Sequence, residues 1–208
     1  MPLSSLVHIQ SQFQQVNERD LHNVINANPL ATFIVGGASP VANHFPMLLS
    51  PDGETLLAHV PKANEVWQQL DGTQEVLAIF SGPSGYISPN WYPSKKANAR
   101  VVPTWNYVAV HVYGAAVAQH ERDWKLTHVT ELTQRHEAEQ PEPWQVADAP
   151  VEFTNKLLDH IVGIEMPIER VQGKWKLSQN RSSVDRAGVI AALQEESALK
   201  IMMEKADQ

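Results

Sequence analysis

The side chains of this sequence that can do chemistry gather in three places. Lys174, Lys176, Arg181 and Arg186 stand in one short segment, with Ser178, Gln179 and Asn180 between them. Cations interleaved with amides and hydroxyls suit a phosphate or a carboxylate partner, and equally a basic surface rim near a helix start. Residues 58–67, A-H-V-P-K-A-N-E-V-W, put His59, Lys62 and Asn64 where a strand should run out into a short helix. An imidazole, an ammonium and a capping amide there meet free helix N–H groups, which suits an anion; an ordinary capped helix beside a solvated lysine has the same spelling. The third place is residues 86–114, which hold all four tyrosines and two of the six tryptophans. A loop with Pro89, Pro93, Ser94, Lys95, Lys96 and Arg100 leads past Pro103 into a period of two. Val108, Val110 and Val112 then share one face, and Trp105, Tyr107, His111 and Tyr113 the other. The aliphatic face belongs to a core. The aromatic face fits a flat ligand, or the aromatic ladder of a barrel or dimer seam.

Several chemistries are excluded or disfavoured. The chain has no cysteine, so disulfides, thiol nucleophiles and iron–sulfur ligation are out. None of the nine histidines forms H-E-x-x-H or H-x-x-x-H, so no metal site is expected. Gly82-Pro83-Ser84-Gly85 falls one residue short of a nucleophile elbow, and neither a Walker A nor a G-x-G-x-x-G is present. No general base announces itself; His44, His59 and His111 can titrate, and each reads equally as a hydrogen-bonded barrel histidine.

At 208 residues and 43% hydrophobic, the chain can build one substantial core, and a single compact domain is expected. A net charge of -7 opposes binding nucleic acid by bulk electrostatics. No apolar run approaches a membrane span and the first residues lack the layout of a signal peptide, so a cytoplasmic location is the default expectation.

The elements that must position these residues can be placed by pattern. Asp20 should cap a helix carrying Leu21, Val24 and Ile25, ended by Asn28-Pro29. Residues 30–35 read as a buried strand. Residues 41–49 and 54–60 read as a hairpin around Pro51-Asp52-Gly53, with Pro46 at an edge or bulge. Residues 73–80 form a strand and 81–85 a turn. Asp123 should cap a helix with Leu126, Val129 and Leu132, whose polar far end runs to Pro141-Glu142-Pro143. Residues 151–161 read as a helix entering a strand at Ile164, Met166 and Ile168, which Gly173 turns. Ser183 should cap a helix with Ala187, Ile190 and Leu193, followed by a frayed amphipathic stretch to Gln208. Several short strands with an interrupting helix suggest a small antiparallel barrel with helices packed outside.

Y-I-S-P-N-W-Y-P-S-K at 86–95, V-P-T-W-N-Y-V-A-V-H-V-Y-G at 102–114 and K-L-S-Q-N-R at 176–181 resemble the PaiB-type proteins, described as FMN-binding negative transcriptional regulators. The resemblance runs in order over nearly the whole chain. It implies a mainly β fold with flanking helices, an FMN-binding split β-barrel related to pyridoxamine-phosphate oxidases, over residues 1–208, with a helical C-terminal extension from about residue 183. It further implies a homodimer with two sites at the subunit interface. For FMN phosphate the matching positions are His59, Lys62, Asn64 and Lys95, with Lys176 and Arg181 from the partner chain. Trp91, Trp105 and Tyr107 would face the isoalloxazine, and Ser88, Thr104, Asn106, Gln179 and Asn180 would supply polar contacts. Residues 58–67 depart from the family pattern, which has Gly, Ala and Arg at Ala58, Pro61 and Lys62 and Pro at Glu65; lysine lacks the planar fork arginine offers phosphate. A flavin-dependent oxidoreductase or a haem-binding relative is the alternative reading, and direct DNA binding is disfavoured because Glu195, Glu196 and Glu204 lie in the last two helices.

Overall fold

The computed structural model describes residues 7–206, and the first residues, on which the expectation of no signal peptide rests, lie outside them. The chain runs β1 (Gln14–Gln15), α1 (Glu18–Ala27), β2 (Leu30–Val35), β3 (Val41–Pro46), β4 (Leu48–Leu49), β5 (Thr55–Pro61), β6 (Asp71–Ile87), α2 (Lys95–Asn98) and β7 (Thr104–Gln119). It continues through α3 (Arg122–Glu137), α4 (Val151–Leu158), β8 (Ile161–Pro167), β9 (Arg170–Lys176), α5 (Ser183–Ala192) and α6 (Ala198–Lys205). Two compact units emerge: one holds Ile25–Phe80 and His111–Val171, the other Ser81–Val110 with the described residues up to Val24 and from Gln172 onward. The long strands β6 and β7 contribute residues to both.

In the first unit the strands lie in the order β3-β2-β6-β7-β8-β5-β4. Alternation sets the core: Ala31, Phe33 and Val35 of β2, Leu56, Ala58 and Val60 of β5, and Ile164 and Met166 of β8 are all buried. Each large side chain among them is worth about 2 kcal/mol of burial. The expected hairpin of residues 41–49 with 54–60 is largely corrected. β3 pairs along its whole length with β2, from Leu30 opposite Pro46 to Val35 opposite Val41, and only Leu48 and Leu49 pair with β5. Pro46 has no N–H to continue the ladder, and Met47 donates instead to the carbonyl of Pro29 at 2.9 Å.

α3 is the largest surprise. Asp123 does not cap it; the helix starts at Arg122 after Glu121, with no side-chain cap. Its buried residues are Lys125 and His128, while Leu126 is exposed. Lys125 is tolerated because its ammonium donates to the carbonyls of Leu158 at 2.7 Å and Ile161 at 3.5 Å, and burial lowers its pKa.

In the second unit β1 pairs with β9, Gln14 opposite Lys174 and Gln15 opposite Gly173. Gly173 therefore lies inside a strand rather than at a turn; a Cβ there would meet Leu21 at 2.4 Å, so close packing explains the glycine. Residues 81–85 likewise stay within β6, with Gly82 pressed against Val108. Two caps shift. Asn17 accepts from the Asp20 N–H at 3.2 Å in place of Asp20 capping α1, and Ser182 rather than Ser183 accepts from the Asp185 N–H at 3.2 Å. α6 is packed, not frayed, since Leu199 and Met203 are buried.

Candidate functional site

Of the aromatic face predicted for Trp105, Tyr107, His111 and Tyr113, the second unit holds Trp105 and Tyr107, whereas Tyr113, in the first unit, is buried. Val108 and Val110 are buried, whereas Trp105 is 58% exposed and Tyr107 half-buried. Tyr86, exposed on β6, meets Trp105 edge-on with ring centroids 6.3 Å apart. Lys174 and Lys176 alternate on β9 and so share one face. Lys174 Nζ lies 5.3 Å from the Tyr107 ring centroid, and Lys176 Nζ donates to Thr104 Oγ1 and to the Trp105 carbonyl. Burial lowers the pKa of Lys176, and the positive charges of Lys174 and Arg181 lower it further; among the described residues no carboxylate acts in the opposite direction. An exposed aromatic pair is thus rimmed by cations that repel one another, which an anion would relieve.

The neighbouring polar residues fall into two kinds. Asn106 points to the buried side, where its Nδ2 donates to Ser178 Oγ at 2.9 Å while its Oδ1 has no partner. Ser178 itself sits in the left-handed region at φ 65°. Gln179 is consumed by its own turn: Oε1 accepts from the Leu177 N–H at 2.7 Å and Nε2 donates to the Trp175 carbonyl at 2.6 Å. Asn180 is exposed, and the Arg181 guanidinium lies 4.8 Å from the centroid of the buried Tyr92 ring.

Ser88, Trp91 and Lys95 form another group. Ser88 Oγ accepts from the Asn90 N–H at 3.2 Å, and Lys95 Nζ donates to Asn90 Oδ1 at 2.5 Å. Trp91 and Lys95 line a shallow cleft with Tyr92 and Pro93. Asp185 anchors this loop, accepting from the Ser94 N–H at 2.9 Å and Oγ at 2.8 Å, and those bonds hold its carboxyl below the usual range.

His59, Lys62 and Asn64 belong to the first unit, and their side chains turn different ways. His59 Nδ1 lies 3.1 Å from His128 Nε2. Burial lowers the pKa of His59; that of His128 falls to about 4, through burial and the proximity of His59. Trp124 stacks on His128 at 5.3 Å and donates to Glu165 Oε2 at 3.1 Å. Lys62 is exposed. Asn64 accepts from the Val66 N–H at 3.2 Å and donates to Asn43 Oδ1 at 2.9 Å. Tyr86 and Lys174 stand in stretches the sequence marks out but are not among the positions the family resemblance assigns to FMN, and Lys125 and His128 are not marked out by the sequence at all. The spacing of two between Lys174 and Lys176 signals the first cluster; nothing local signals a buried cation or histidine on α3.

The chain's likeness to known proteins bears on these clusters. Residues 7–170 match the family profile described as "Putative FMN-binding domain". The protease synthase and sporulation protein PAI 2 of Bacillus subtilis is 31% identical over 193 residues, covering 91% of this chain and 90% of that protein. An uncharacterised protein of Emericella nidulans is 32% identical over 213 residues, covering 84% and 85%. Among solved structures, the FAD- and haem-binding protein from Mycobacterium smegmatis superposes with a TM-score of 0.61 at 16% identity, over 87% of this chain and 80% of that one. The flavocytochrome from Azotobacter vinelandii gives 0.59 at 15% identity, over 83% and 74%. These two establish the fold alone, a mainly β split barrel with flanking helices, as expected from the motifs. FMN is the cofactor that the family description carries. Lys174, Lys176 and Arg181 lie beyond the matched residues 7–170, although the uncompensated cations beside an exposed aromatic pair fit an anionic flat ligand. The chain belongs to the FMN-binding domain family and is a split-barrel relative of PAI 2.

Proposed function

We propose that FMN packs against Tyr86, Trp105 and Tyr107, with its phosphate held by Lys174 and Lys176, in a homodimer with two such sites at the subunit interface. The observation that carries this is the exposed Trp105 beside Tyr86, with the Lys174 ammonium over the Tyr107 ring and the Lys176 ammonium held at Thr104 and the Trp105 carbonyl. A phosphate there restores the proton affinity of Lys176, while Thr104 and the Trp105 carbonyl fix its position. Trp105 offers a broad apolar surface to a planar ring, and Arg181 adds positive potential. When bound, FMN supplies redox chemistry; the chain's own residues orient it and exclude water. Ser88, Trp91 and Lys95 complete the proposed contacts, with Asn180 at their edge. The proposed role is that of a cytoplasmic regulator of the PaiB type that responds to flavin rather than to DNA directly. His59 is left out of the phosphate set because its ring is engaged with His128.

Titration of purified protein with FMN by fluorescence quenching tests the placement. Lys176→Ala is expected to weaken binding about tenfold, and Trp105→Ala by a similar factor, each being the loss of one charge-assisted or stacking contact. Unchanged affinity in both, or a loss confined to Lys62→Ala, moves the phosphate to the end of β5 and overturns the reading.

A further inference from the structure

Between α3 and α4 lies a cleft of about 360 Å³. Its lining includes His59, Val129, Thr133, Trp144, Phe153 and Leu157, and none of its lining residues is an acid, a lysine or an arginine. Trp144 and Phe153 are each about half exposed, which is unusual for side chains so large beside a formed cavity. The volume is that of a small-molecule site and too little for a partner's helix.

The polar side chains lining the cleft are His59, Thr133, Thr154 and His160, and the histidine pair fixes what His59 offers. His128 is buried and its Nδ1 has no partner, so the two rings share a single hydrogen bond between His59 Nδ1 and His128 Nε2. Were His59 the donor, neutral His128 would carry its proton on Nδ1 and bury an unpaired N–H. With His128 Nε2–H donating, the buried orphan is only a lone pair, the less costly of the two. His59 then holds its own proton on Nε2. His59 lines the cleft and His128 does not, so with Nδ1 taken by His128 the ring nitrogen of His59 left for a ligand is Nε2. We propose that this cleft is a second ligand site, taking a small uncharged aromatic molecule whose single hydrogen-bond acceptor receives the Nε2 proton of His59. The absence of charged lining excludes a phosphate or carboxylate ligand, and the aromatic mouth favours a flat ring.

The test uses the full chain and two probes of one shape, 4-fluoroacetophenone, which carries an acceptor, and 4-ethylfluorobenzene, which does not, each followed by fluorine NMR. Saturable binding of both is expected, with the ketone favoured about fivefold, the worth of one neutral hydrogen bond. Thr133→Trp, which fills the cleft from α3 and leaves both histidines in the chain, is expected to abolish binding of both. His59→Phe is expected to keep the hydrocarbon and erase the ketone's advantage; should that variant fail to fold, the wild-type ratio and Thr133→Trp decide. Saturating FMN is expected to leave the ketone bound. The proposal is overturned by absent saturation, by equal affinity for the two probes, or by indifference to Thr133→Trp. It is also overturned by displacement with FMN, which would make the cleft the cofactor's, and by ketone affinity that falls as protein concentration rises, which would mean a second copy covers it.

Discussion

Two single residues report the electrostatics of this chain in opposite ways. Lys176 is a cation kept in an unfavourable place, so its removal should separate binding from stability. Lys176→Met relieves a partly buried charge facing Lys174 and Arg181 and gives up the bonds to Thr104 and Trp105. Its unfolding free energy without ligand is expected to move by no more than about 1 kcal/mol, read by urea titration, while FMN affinity falls. A residue that served only the fold would show the reverse. His128 is a neutral group kept from protonating. Unfolded histidine takes up its proton near pH 6.5 and folded His128 only near 4. Between those values the unfolded chain binds the extra proton, so stability is full above about pH 6.5 and drains away as pH falls toward 4, by about 3 kcal/mol in total. Urea midpoints at pH 7 and pH 4.5 measure the drop, and His128→Gln is expected to flatten most of it; an equal drop in that variant would assign the acid sensitivity elsewhere.

At the scale of elements, the tightest fit is between β7 and the end of β8. A Cβ on Gly114 would stand 2.0 Å from the carbonyl oxygen of Pro167, a backbone atom that cannot swing aside. Gly114→Ala is expected to cost about 3 kcal/mol or more, against a smaller loss for Gly82→Ala, whose nearest neighbour is the Val108 side chain at 3.0 Å. Paired thermal melts of the two variants check the order. β2 was legible to the residue because Ala31, Phe33 and Val35 alternate with half-buried positions, and β7 because its valines do the same. α3 was misjudged for a physical reason: apolar spacing predicts a buried Leu126, but the helix buries Lys125 and His128, whose partners are the carbonyls of Leu158 and Ile161 and the ring of His59. Those partners are distant in sequence, so no local window contains them. The hairpin at Pro51 was over-read because strand pairing depends on which strand reaches β3 first, and turn chemistry cannot say that. The candidate site was half legible. Trp105 and Lys176 come together through Thr104, as alternation on two strands allows, while Gln179 spends its amide on its own backbone turn and Asn64 divides its amide between the Val66 N–H and Asn43.

For the whole molecule, charge and association make separate predictions. The net charge of -7 opposes duplex DNA, and Arg186 on α5 is buried and donates to the Met203 carbonyl, leaving Lys200 and Lys205 as the lysines of α6. A gel-shift assay at low salt is expected to show no salt-sensitive retardation. The proposed interface site carries a stricter consequence. If each FMN touches two copies of the chain, then only the dimer binds it, and mass action links cofactor affinity to protein concentration. Sedimentation velocity with FMN is expected to show a dimer at concentrations where the FMN-free protein begins to dissociate, and the melting temperature with FMN should rise with protein concentration. Trp105→Ala should weaken both effects together, because the exposed indole would serve the cofactor and the seam at once. A monomer that binds one FMN at full affinity, with a concentration-independent melt, would leave the phosphate at Lys176 intact as a reading and remove the shared interface.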